Sequence, residues 1–188
     1  MLITLSGLSG SGKSSAANAL AEKLKIPTVD IGAIFRRLAK KHGMDVAEFG
    51  KHVEKNPEID HELDLAMVRR AKRGRNLILQ GRLAGWMTQK HGLQATRIWI
   101  SATPQVRASR IAKREAIPYR RALKQTVGRD RRDRHRYKAA YGLDLNDLSI
   151  YDVVIPTDNR SIAEVVSLIL RKLPYGRRNQ TRRRSGRG

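Results

Sequence analysis

Residues Gly7-Leu-Ser-Gly-Ser-Gly-Lys-Ser14 spell G-x-x-x-x-G-K-S, directly after the apolar run Leu2–Leu5 and directly before the helix-like stretch Ser14–Leu24. Strand, glycine-rich loop and helix in that order form a cradle for a nucleoside triphosphate. Gly7, Gly10 and Gly12 free the backbone to turn successive N–H groups toward phosphate oxygens. The helix that opens near Lys13 adds the positive end of its dipole. The nucleotide-binding set is therefore Gly7, Leu8, Ser9, Gly10, Ser11, Gly12, Lys13, Ser14 and Ser15. Lys13 is expected to reach the β- and γ-phosphates of ATP, and the Ser14 hydroxyl to ligate Mg²⁺.

The rest of the chain alternates short apolar runs with helical patterns. Strands are expected at Leu2–Leu5, Thr28–Asp30, Leu77–Gln80, Ile98–Ser101 and Val153–Pro156, all without polar alternation, as in a parallel sheet buried on both faces. Helices are expected at Ser14–Leu24, Gly32–Lys41 and Glu58–Lys72, from Ser101-Ala-Thr-Pro104 through Ile111, and at Ser161–Leu173. Asn56-Pro57 reads as the cap and first turn of the third helix. The fold class is α/β, a three-layer P-loop NTPase fold with a central five-stranded parallel sheet. At 188 residues one domain is expected, covering 1–173. Two stretches interrupt the alternation: 45–74, a helical insertion suited to holding an acceptor, and 115–146, an Arg-rich insertion suited to a lid. Residues 174–188 read as a basic, disordered tail.

Composition excludes several function classes. The chain has no cysteine, which removes disulfides and thiolate metal sites. The five histidines lie scattered, without metal-ligand spacing. No apolar run is long enough to span a bilayer and no cleavable leader is evident, so a cytoplasmic protein is expected. The net charge of +22 and pI of about 11.3 fit either a grip on polyanionic substrates or nucleic-acid contact through the basic tail.

Five further stretches follow the phosphate loop in order: Asp30-Ile-Gly-Ala-Ile-Phe-Arg-Arg37, Gln80-Gly-Arg-Leu-Ala-Gly-Trp86, Ser109-Arg-Ile-Ala-Lys-Arg-Glu115, Arg129-Asp-Arg-Arg-Asp-Arg-His-Arg-Tyr137 and Leu148-Ser-Ile-Tyr-Asp152. Together they resemble the short archaeal-type branch of the cytidylate kinase family, from Met1 to about Leu173. The resemblance implies transfer of the ATP γ-phosphoryl group to CMP or dCMP with Mg²⁺, an ATP-dependent phosphotransferase of pyrimidine metabolism. It also implies site residues. Asp30 lies beside the acceptor nucleotide, and Arg36 and Arg82 hold the acceptor phosphate. Arg110 and Arg114 flank the lid. Arg129 and Arg136 face the phosphates as catalytic residues with Lys13, while Asp133 faces sugar hydroxyls or an arginine.

Gln80 stands where related kinases often present a metal-orienting acid. Ile31 and Leu83 replace polar residues of longer relatives. Arg131, Arg132 and Arg134 are expected to be solvated or paired with Asp130 and Asp133. Phe35 and Trp86 are expected in the core or the cavity wall. Two alternatives stay open: another nucleoside monophosphate kinase of this fold with AMP or UMP as acceptor, and an RNA- or ribosome-associated P-loop ATPase.

Overall fold

The computed structural model describes residues 1–73 and 76–173. Five strands, β1 (Leu2–Ser6), β2 (Thr28–Asp30), β3 (Leu77–Gln80), β4 (Thr96–Ser101) and β5 (Val153–Pro156), form one sheet in the order β2-β3-β1-β4-β5. Every pairing is parallel, with Leu5 opposite Gln80 on one side and Ile98 on the other. The apolar runs therefore mark the strands as expected, with β1 extended to Ser6 and β4 begun two residues earlier, at Thr96. Their lack of alternation follows from helices covering both faces.

On one face lie α1 (Lys13–Leu24) and α8 (Ile162–Lys172), whose Ala17, Leu20, Val166 and Ile169 pack on Ile3, Leu5, Ile98 and Ile155. On the other lie α4 (Pro57–Arg73) and α5 (Ala84–Lys90), where Met67, Val68 and Met87 meet Leu77, Leu79 and Leu83. Tyr137 and Leu145 close this second core. The insertion between β2 and β3 carries α3 (Val46–Lys55) and α4. Together with α2 (Ile31–Lys41) it forms a satellite core of Phe35, Phe49, Val53 and Leu63. The Arg-rich stretch is a single 23-residue helix, α7 (Tyr119–Tyr141), packed on α6 (Pro104–Glu115) through Ala108, Ile111 and Ala122.

Local chemistry sets most helix ends. Asp45 with Glu48, and Ser161 with Glu164, form reciprocal capping boxes at α3 and α8, and Thr103 caps α6 ahead of Pro104. Asn56 departs from its expected role, because its side chain donates to the His52 carbonyl at 2.7 Å and so closes α3, while Pro57 opens α4. The α5 helix was not expected from the sequence. It follows the sharp turn at Gly81 and is seated by the Gly85 N–H donating to Ser6 Oγ at 2.9 Å. The basic tail and Gly74, the last residue of the expected acceptor insertion, lie outside the described residues.

Candidate active site

The loop after β1 lies at the carboxyl end of the sheet, where open α/β sheets bind ligands. Its shape requires glycine. A Cβ on Gly7, at φ +145°, would fall 2.2 Å from the Ile100 carbonyl oxygen, and one on Gly10, at φ +80°, 2.8 Å from that of Arg107. The loop carbonyls are bound from behind: Ser9 by Arg107 Nη1 at 3.2 Å, Gly10 by Arg110 Nη1 at 3.4 Å and Ser11 by Thr157 Oγ1 at 2.9 Å. With its carbonyls so engaged, the loop and the first turn of α1 line a cavity of about 520 Å³ with Ser9, Gly10, Gly12, Lys13, Ser14 and Ser15.

Lys13 stands at the centre of this cradle. Its Nζ donates to the Leu8 carbonyl at 2.8 Å. Burial, followed by the charges of Arg82 and Arg129, brings its pKa down to about 7. Arg129 is likewise pushed down to about 10, first by burial and then by Arg82. Three arginines converge on one buried carboxylate. Asp133 lies 3.0 Å from Arg82 Nε, 3.3 Å from Arg136 Nη2 and 4.0 Å from Arg129 Nε. Arg136 also reaches Asp60 at 3.1 Å and donates to the Tyr137 hydroxyl at 2.9 Å. The arrangement holds more positive charge than its carboxylates neutralise, and it faces the phosphate cradle across the cavity.

The residues expected from the sequence mostly converge here. Asp30 lines the cavity, caps α2 by accepting from the Ala33 N–H at 3.0 Å, and pairs with Arg36 at 3.5 Å. Arg36 is half exposed. It lines both this cavity and a neighbouring cleft of about 600 Å³ between α2–α3 and α6–α7. Arg110 faces the cavity while its guanidinium braces Gly10 and Thr157, the latter at 3.0 and 2.7 Å. Arg114 lines both openings and pairs with Glu115 at 2.6 Å. Phe35 is a wall residue, edge-on to Phe49 at 4.9 Å.

Of the two expectations for Arg131, Arg132 and Arg134, solvated or paired, the solvated one holds for Arg131 and Arg134, which are exposed. Arg131, Arg132 and Arg134 form no ion pair with Asp130 or Asp133 among the described residues. Asp130 instead takes both Arg107 terminal nitrogens in a buried pair, and Asp133 is occupied by the three arginines above. Helix geometry decides this, because the acids point inward while Arg131 and Arg134 lie on the exposed side. Among the described residues Arg134 donates to the Asp130 carbonyl and to Asn146 Oδ1.

Sequence reading missed Asp60, Asp64 and Tyr137, which line the far end of the cavity with Arg82 and Leu83. Burial raises the pKa of both acids, that of Asp64 to about 7, although the Tyr141 hydroxyl donates to it at 2.5 Å. The i, i+4 spacing of these acids within an expected helix was the available signal.

The residues fit a Mg²⁺ ion that arrives on a nucleotide. No cluster of three or more histidines or acids is positioned to cage a metal among the described residues. Ser14 lies in the first turn of α1 at the cavity, and the buried Gln80 Oε1, at the end of β3, has no hydrogen-bond partner among the described residues. A neutral acceptor of this kind suits a metal-bound water, and Mg²⁺ characteristically keeps several waters and takes its other ligands from phosphates.

Residues 2–159 match the sequence profile of the cytidylate kinase-like family. A cytidylate kinase of Methanocaldococcus jannaschii is 45% identical over 170 residues, covering 90% of this chain and 95% of that protein. A cytidylate kinase of Pyrococcus horikoshii is 43% identical over 169 residues, covering 90% and 86% respectively. Among solved structures, a shikimate kinase from Bacteroides thetaiotaomicron superposes with a TM-score of 0.58 at 14% identity, covering 90% of this chain and 96% of that one. That likeness speaks to the fold alone.

Proposed function

Since this chain belongs to the cytidylate kinase-like family, we infer that it transfers the γ-phosphoryl group of ATP to CMP or dCMP, giving ADP and CDP or dCDP. The observation that carries the reading is the convergence of Arg82, Arg129 and Arg136 on the carboxylate of Asp133, in the same cavity that the phosphate loop and Lys13 line. Two polyanions must meet for this reaction. Their mutual repulsion is the barrier that a fixed set of cations lowers.

The phosphate loop and Lys13 hold the donor β- and γ-phosphates. Lys13 exchanges the Leu8 carbonyl for phosphate oxygens and regains its full charge in their field. Arg82, Arg129 and Arg136 face the phosphoryl group in transfer, and Arg36 closes on the acceptor phosphate. A planar guanidinium can hold two of its oxygens at once. The Mg²⁺ carried by the nucleotide, held by Ser14 with Gln80 behind a bound water, would supply further neutralisation of the β- and γ-phosphates. No general base is needed, because the attacking acceptor oxygen is already anionic.

Asp60 and Asp64 read the base. The cytosine 4-amino group donates a hydrogen bond that a carboxylate accepts, whereas uracil presents a carbonyl at that position and is repelled. Asp64 accepts from Tyr141, which orients the carboxyl group.

Steady-state assay of ADP release with CMP, dCMP, UMP, AMP and GMP tests the function. The expected outcome is preference for CMP and dCMP, with Asp64→Asn narrowing the margin over UMP by roughly 10- to 100-fold, the worth of one well-placed polar contact. AMP or UMP as the best acceptor of the unaltered protein would overturn the assignment.

A further inference from the structure

Arg107 of α6, at 2% exposure, is the largest side chain fully enclosed among the described residues. Its Nε donates to the Ala102 carbonyl at 3.1 Å, its Nη1 to the Ser9 carbonyl at 3.2 Å and to Asp130 Oδ1 at 3.1 Å, and its Nη2 to the other Asp130 oxygen. One planar group thus joins α6, the phosphate loop and α7. The loop also rests directly on this residue, since a Cβ on Gly10 would meet Arg107 Cβ at 3.0 Å and Cα at 3.1 Å.

Stability alone does not account for such a pair. The attraction within a buried ion pair roughly offsets the cost of its desolvation, and apolar residues of similar volume often serve the fold as well or better. What an apolar pair could not do is hold the Ser9 carbonyl. That oxygen and the Gly10 N–H belong to one planar trans peptide and point in opposite directions. Drawing the oxygen toward Arg107, behind the loop, turns the N–H to the cavity side, where Gly10 is part of the lining. Among the described residues this N–H has no acceptor. Asp130 adds a second effect: it cancels the Arg107 charge, so the peptide is oriented by a group that does not itself compete for phosphate.

We propose that Arg107 is a positioning residue for phosphoryl transfer: held by Asp130, it aims the Gly10 N–H at a donor phosphate and ties that peptide to α7, the helix that carries Arg129 and Arg136. A backbone N–H fixed in this direction before the nucleotide arrives needs no reorganisation when it binds. The role rests on the reading of the phosphate loop as the ATP site and is independent of which nucleotide accepts the phosphoryl group.

The test compares the full chain with R107M/D130L, an apolar pair in place of the ionic one, and with I169A, which opens a cavity in the core between α8 and the sheet and lines neither cleft. Calorimetric titration with ATP and Mg²⁺, steady-state kinetics and denaturant titration are run on each. R107M/D130L should bind ATP roughly 10- to 100-fold more weakly, the worth of one hydrogen bond to a charged group, and raise KM for ATP to match. Its KM for CMP should stay within about threefold of the parent, and I169A, though less stable, within about twofold for both substrates. In ¹⁵N-glycine-labelled protein the Gly10 amide proton should move downfield when ATP binds to the parent and stay in place in R107M/D130L. Should the double variant not fold, R107K answers the same question. Its ammonium keeps the charge against Asp130 but cannot span the carboxylate and both carbonyls, so ATP affinity should fall by at least about tenfold. ATP affinity within about threefold of the parent in folded R107M/D130L or R107K, an equal loss in I169A, or a KM for CMP that rises as far as that for ATP would overturn the proposal. A parent that binds ATP without phosphorylating CMP would count against the acceptor reading alone, since the comparison of ATP affinities is unaffected.

Discussion

Lys13 shows how one side chain's chemistry depends on what it awaits. Its pKa near 7 reflects burial and neighbouring guanidinia, chiefly those of Arg82 and Arg129, a balance that the negative charge of a bound polyphosphate would reverse. ATP binding at pH 8 should therefore be accompanied by uptake of a proton. Calorimetry in buffers of different ionisation enthalpy should detect this, and Lys13→Ala should abolish the uptake while lowering turnover by roughly 10²–10³-fold. Asp64 shifts in the opposite sense. Its folded pKa, about 7, lies above the ordinary carboxylate value, so the folded state binds more protons than the unfolded chain from about pH 4 to 7, and stability falls as pH rises through that window. Asp64→Asn can keep the Tyr141 hydrogen bond and should remove this slope, gaining on the order of 1–4 kcal/mol over the parent at pH 8 in denaturant titrations. Neither Asp60 nor Asp64 was singled out as a site residue in the sequence. The tyrosine that meets Asp64 is 77 positions away, and proximity of that kind is set by tertiary packing. The phosphate loop was legible because its whole chemistry is local.

At the scale of elements, the strands could be read because burial on both faces leaves an uninterrupted apolar signature. Most helices could be read from caps and period. The short α5 could not, since it is held by Ser6 of β1 rather than by a cap of its own. For α7, composition revealed the arginines and left their direction undetermined, which depends on the helix packing against α6. That packing is pinned by the buried pair between Arg107 and Asp130, in a cluster that also holds the Ala102 and Ser9 carbonyls. A carboxylate and a guanidinium out of water hold each other, and removing one strands the other. Arg107→Met should destabilise the protein by about 3–5 kcal/mol, and Arg107→Met with Asp130→Leu should recover much of the loss, measured by chemical denaturation.

At the scale of the whole molecule, a chain of net charge +22 acts on two substrates that are both polyanions. Electrostatic steering should raise their encounter rates, so kcat/KM for each substrate should fall steeply with added salt while kcat changes much less. An equal fall in kcat would point to loss of site geometry instead of steering. The central claim concerns where the phosphoryl group goes. The most direct measurement mixes the full chain with γ-³²P-labelled ATP, Mg²⁺ and CMP, and separates the labelled products within a few turnovers. The label should appear in CDP in step with ADP release, with negligible inorganic phosphate. Label released as inorganic phosphate whether or not CMP is present would contradict the account.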